Sequence, residues 1–171
     1  MSASTRGRVQ SSLRAATPFL TTVLLLLLGS VPLHVPYLRP VGPTLVLVAV
    51  YYWSVHTPWL IRPAVVFVIG LLSDLLGGAP IGVGVLILLA AHAMAVLQRR
   101  LFEDATGLAI WFWFVATASL AGILGWAITS LLAERMMEPW PAGAAALTAA
   151  LVYPLVASVL RPVQRALLRH A

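Results

Sequence analysis

A single carboxylate, Asp74, lies within the apolar stretch FVIGLLSDLLGGAPIGVG from Phe67 to Gly84, and no other acid lies inside a long apolar run of this chain. A charged carboxylate at mid-bilayer costs roughly 2.5 to 3.5 kcal/mol on insertion scales, and less near an interface, so such a group is normally held against protein or water. Gly70, Ser73, Asp74 and Gly77 recur three or four residues apart and share one helix face. That face is small and polar, and it lets a second helix approach closely. Three roles are open to Asp74: hydrogen bonding that fixes helix pairing, a partner or ligand site, and ion or proton movement. A proton relay would need more acids or histidines at other depths, and the other four acids fall in loops.

Other reactive residue types form no recognisable machinery. His34, His56 and His92 belong to three separate regions without metal-ligand spacing. His34 and His56 read as loop or interface residues. His92, inside an apolar run, reads as a neutral histidine paired to a neighbouring helix. No G-x-S-x-G, H-E-x-x-H or phosphate-loop pattern occurs, and there is no cysteine. The sequence therefore indicates a non-enzymatic protein with no cofactor and no metal.

These residues must be positioned by apolar helices. The chain has 171 residues, 61% of them apolar and 9% charged, with a mean hydropathy of +0.97. Those values lie outside the range of soluble domains. Six runs of about membrane-spanning length follow one another: Pro18 to Val31, Val41 to Val55, Ile61 to Leu76, Ile81 to Leu97, Leu108 to Ala133 and Ala142 to Leu160. The predicted fold is an all-α integral membrane protein, a six-helix bundle over residues 18–160. A cytoplasmic segment, 1–17, precedes it and a basic cytoplasmic tail, 161–171, follows. The basic lead before the first run also fits a signal peptide, but GSVPLHVP has no clear small-x-small cleavage site, and a retained helix is expected. The link Gly77, Gly78, Ala79, Pro80 is so short that runs three and four must be antiparallel.

The net charge of +6 comes from eleven basic residues, all arginine, spread around helix ends rather than gathered into a nucleic-acid patch. With six spans, Arg6, Arg8, Arg14, Arg62, Arg99, Arg100, Arg161, Arg165 and Arg169 fall on the side of the termini, and Arg39 and Arg135 fall opposite. Nine against two predicts a multi-pass protein with both termini in the cytoplasm and Asp74 near the outer face. Tyr51, Tyr52 and Trp53 read as an interfacial aromatic belt, and Trp111 to Phe114 as a second anchor. Trp126, nearer mid-membrane, needs a partner for its indole N–H. Pro154 is expected to kink the last helix.

The order of these features resembles the family of the bacterial rod shape-determining protein MreD. The resemblance is most specific over Phe67 to Gly84, in the pattern G-L-L-x-D-x-x-x-G-x-P-x-G that begins at Gly70. It implies a non-enzymatic subunit of the elongation machinery that builds the lateral wall and sets rod shape. It further implies direct binding to MreC, and through it association with RodA, a class B penicillin-binding protein and MreB. The implied fold resembles the substrate-binding membrane subunits of energy-coupling-factor vitamin transporters. On that likeness, a small-molecule transporter subunit is the alternative function.

Carried onto this chain, the family motif falls on Gly70, Asp74, Gly78, Pro80 and Gly82, a hairpin expected to shape the surface or groove that receives MreC. Arg99 and Arg100, with Arg161, Arg165 and Arg169, are expected to meet anionic lipid or cytoplasmic components. An enzyme acting on lipid would require Asp74 and His34 within hydrogen-bond reach beside a lipid-sized groove.

Overall fold

The computed structural model describes residues 3–30, 41–78, 80–99 and 106–168, and every regular element among them is α-helical. In chain order these are α1 (Ala3–Ser30), α2 (Val41–His56), α3 (Pro63–Gly77), α4 (Val83–Gln98), α5 (Gly107–Leu132) and α6 (Trp140–Leu168). The boundaries follow local chemistry. Arg62 is extended before Pro63, whose missing N–H is harmless in a first turn, and Gly78 ends α3 in the left-handed region at φ 65°. α1 begins well before the apolar run at Pro18, and α6 carries the basic segment after Leu160 onward as helix to Leu168.

Consecutive helices pack antiparallel, as pairs of touching residues record. Gly70 meets Val85 and Asp74 meets Gly84 between α3 and α4. Gln98 meets Thr117 between α4 and α5, and Trp111 meets Ala150 between α5 and α6. The bundle thus has two ends. The α3–α4 and α5–α6 turns lie at one, termed the hairpin end; the α2–α3 turn and the start of α5 lie at the other, termed the terminal end. α2 is central and packs on α1, α3, α4 and α6.

The middle of α2 is the most deeply buried part of the molecule, with Val46 and the residues from Val48 to Ser54 each at most 1% exposed. Tyr51, Tyr52 and Trp53 are therefore core residues and not an interfacial belt. The correction has a plain cause: each polar tip finds a partner on another helix. Tyr51 Oη donates to Gln98 Oε1 at 2.9 Å, and Gln98 in turn donates to Thr117 Oγ1 at 3.2 Å. Tyr52 Oη donates to Gln164 Oε1 at 2.5 Å, and Trp53 Nε1 donates to Thr21 Oγ1 at 3.1 Å. His92 pairs through Nδ1 with Ser54 Oγ at 2.7 Å, the interhelix role expected of it. His56 ends α2 stacked on Tyr52, with Nδ1 2.9 Å from the Tyr52 carbonyl. His34 lies outside the described residues.

The aromatic run at the start of α5 divides between two roles. Phe112 is exposed, as an anchor would be, but Phe114 is fully buried between Tyr51 and Tyr153, and Trp111 Nε1 donates to the Ala150 carbonyl at 2.9 Å. On α6, Leu147, Leu151, Leu155 and Val159 form an outward stripe while Ala149, Tyr153, Val156 and Leu160 face inward. A helix apolar on its outer face suits hydrocarbon rather than water. Among the described residues, Gly107–Leu132 and Trp140–Ala166 are long and apolar enough to cross a membrane, and Ala16–Ser30, Pro63–Gly77 and Val83–Gln98 are shorter apolar helices.

Gln98→Leu leaves the buried Tyr51 hydroxyl without its acceptor and should destabilise the fold by about 1–2 kcal/mol. In a double-mutant cycle by thermal unfolding in mild detergent, adding Tyr51→Phe should cost less in the Gln98→Leu background than in the wild type. Fully additive costs would mean that the bond contributes nothing.

Candidate functional site

The hairpin end is built on Asp74. This residue is 3% exposed, and its carboxylate lies over the first turn of α4. The Gly82 amide donates to Oδ2 at 2.8 Å, the Gly84 amide to Oδ1 at 2.8 Å, and the Val85 amide to Oδ2 at 3.4 Å. Gly82, the N-cap of α4, has no side chain to cap its own helix. Asp74 supplies the cap from the preceding helix, satisfying amides that a helix start leaves orphaned and placing negative charge at the positive end of its dipole. Charge-assisted bonds of this kind are about twice as strong as neutral ones. Of the three roles open to Asp74, the geometry favours the hydrogen bonding that fixes helix pairing.

That arrangement requires close approach and an unusual turn. A β-carbon on Gly70 would lie 2.6 Å from Val85 Cα, and one on Gly84 would collide with Asp74 Oδ1. Gly78 and Gly82 hold φ values of 65° and 103°, a region in which other residues are strained. Pro80 lies between them, and its carbonyl accepts from the Val83 amide at 3.2 Å. Of the motif residues, Gly78, Pro80 and Gly82 form the turn, Asp74 reaches it from the last turn of α3, and Gly70 lies one turn deeper where α3 packs on Val85. Sequence reading missed Gly84, whose signal was its place in the same glycine-spaced stretch. Gly77, expected to share the packed face, is exposed.

Beside this turn lies a cavity of about 780 Å³, bounded by the hairpin-end portions of α2 to α6 and by the α5–α6 turn. Its wall is largely apolar or small, from Leu47, Val83, Leu88, Ala121 and Ala146 among others, and Ser73, Arg135 and Glu138 also line it. Trp126 lines it too and donates its indole N–H to the Met137 carbonyl at 2.8 Å, the partner expected of it, found in the α5–α6 turn. Residues 131–140 are all exposed, and Glu134 turns the chain there with φ 51°. At the terminal end Arg99, Arg161 and Arg165 are exposed, with the Arg99 guanidinium 5.9 Å from the centre of the Trp59 ring. Arg100 and Arg169 lie outside the described residues. Among the described residues, no three His, Asp or Glu side chains gather where they could hold a metal ion.

A model of the family described as rod shape-determining protein MreD matches residues 10–163, almost the whole chain. The chain belongs to the MreD family. No curated protein and no solved structure matches it. Membership in the MreD family gives the chain a part in rod shape determination as a component of the rod-shape machinery, and the apolar helices are consistent with a membrane protein. The MreD match includes the Asp74 hairpin and every helix that borders the cavity.

Asp74→Ala strands the Gly82 and Gly84 amides and should lower stability by about 3 kcal/mol, with Asp74→Asn intermediate because one carbonyl oxygen remains. Gly84→Ala should also destabilise, since its β-carbon displaces the carboxylate. Thermal unfolding of the purified variants checks the order, and a wild-type melting point for Asp74→Ala would exclude the cap.

Proposed function

We propose that this chain is a non-enzymatic scaffold of the bacterial cell-elongation complex that binds MreC directly and so helps to control lateral peptidoglycan synthesis. RodA, a class B penicillin-binding protein and MreB belong to the same assembly. The observation that carries the reading is the largely apolar cavity beside a glycine-rich hairpin whose one buried acid is occupied by backbone amides. A side chain so engaged is a poor proton carrier and a poor catalytic acid. The cavity also offers few converging polar groups, which favours a docking surface over the polar solute site of a vitamin-type transporter subunit.

In this reading all six helices span the inner membrane, with both termini cytoplasmic. The described arginines support that orientation, because Arg62, Arg99, Arg161 and Arg165 lie at the terminal end and Arg135 at the hairpin end. The hairpin end then faces the periplasm, the side from which a single-pass partner with a periplasmic domain would reach it. The arginines of the terminal end meet anionic lipid headgroups.

The test is affinity purification of the chain from native membranes, with near-stoichiometric companions identified by mass spectrometry. MreC should accompany the wild type and be lost or strongly reduced with Met136→Asp, which charges a residue 92% exposed at the cavity rim without touching the core. Undiminished MreC would remove the rim from the interface. An ATPase pair with a retained polar solute would replace the scaffold by a transporter subunit.

A further inference from the structure

Two features of the cavity point to an occupant that the docking of a protein does not explain. Ser73 lines it at 9% exposure, and among the described residues its hydroxyl has no protein hydrogen-bond partner, so its oxygen opens on the cavity. A hydroxyl that faces the cavity from an otherwise largely apolar wall favours a hydrogen-bonding group in whatever fills the space. Ser73 lies one turn in from the end of α3, below the mouth. At the mouth, Arg135 and Glu138 place one positive and one negative side chain three residues apart on the α5–α6 turn. Beyond Ser73, toward the bundle interior and past the level where Gly70 meets Val85, the wall is hydrocarbon, from Ile87, Leu88 and Ala118.

The volume, about 780 Å³, is that of a small-molecule site, commonly about 300–1,000 Å³. Water suits it poorly, because each ordered water needs two or more polar partners. An occupant must be apolar along most of its length, carry a hydrogen-bonding group near Ser73, and end in paired opposite charges. We infer that the cavity holds an acyl chain of a zwitterionic aminophospholipid, with an ester group at Ser73, the phosphate at Arg135 and the ammonium at Glu138. This rests on the proposed placement of the hairpin end in the outer leaflet, where phospholipid surrounds the protein. The lipid fills the site when MreC is absent, and docking of the partner at the same rim displaces it.

The chain is reconstituted alone into nanodiscs containing equal phosphatidylethanolamine and phosphatidylglycerol, and lipid retained after release is identified by native mass spectrometry. One phosphatidylethanolamine per chain is expected. Ser73→Ala should lower its retention roughly three- to tenfold, as for one lost hydrogen bond. Ala146→Phe, which fills the cavity from α6, should abolish retention, and Glu138→Gln, which removes the partner of the ammonium, should remove the preference over phosphatidylglycerol; cooperative thermal unfolding establishes that each variant is folded. Equal retention by folded Ala146→Phe would assign the lipid to the outer surface and overturn the inference, as would no retained lipid or a preference for phosphatidylglycerol. MreC capture, measured on the same preparations, separates the two readings: MreC bound with no lipid site refutes only the lipid, and lipid bound with no MreC refutes only the scaffold.

Discussion

The carboxylate of Asp74 is the constraint on which the hairpin end depends. A charge in an apolar helix is costly unless it is hydrogen-bonded, and the amides that open a helix are costly unless they are capped. Here each requirement satisfies the other across a turn of a few residues, with Gly82 and Gly84 both 2.8 Å from the carboxylate. The bond is possible only because Gly70 and Gly84 let α3 and α4 approach to backbone contact. Asp74 thereby couples the direction of α4 to α3 and fixes one wall of the cavity.

The two ends of the bundle are built in opposite ways. Toward the terminal end, α2 is held by Tyr51, Tyr52, Trp53 and Ser54 to Gln98, Gln164, Thr21 and His92, and the rings of Phe114 and Tyr153 fill the space between helices. Toward the hairpin end, α5 and α6 present Ala118, Ala121, Gly122, Ala142 and Ala146. Large rings close one end and small side chains leave room at the other. The cavity is therefore a consequence of side-chain volume along the helices, and a rigid terminal end holds its walls in place.

Much of this was legible in the sequence. A lone acid on a small face, followed by GGAPIG, marked the α3–α4 hairpin, and helical runs separated by proline and glycine marked the elements. What Asp74 binds was not legible, because its partners are backbone amides that any residue could supply and only the left-handed turn at Gly78 and Gly82 brings them within reach. The aromatic residues of α2 misled for a related reason. Tyr and Trp next to a span end are the usual signature of an interface, and their burial depends on polar partners far away in sequence. Gln98 and Gln164, amides at the ends of apolar helices, were the available clue. The cavity was invisible because it is defined by absent volume on five different helices.

Hydrogen–deuterium exchange at the amides of Gly82 to Val85, compared between wild type and Asp74→Asn in the same nanodiscs, tests the capping account most directly. The account predicts slow exchange in the wild type and markedly faster exchange in the variant, confined to the start of α4, while the interior of α2 stays protected. Equal exchange in the two proteins would contradict it, because the amides would then owe their protection to something other than the carboxylate.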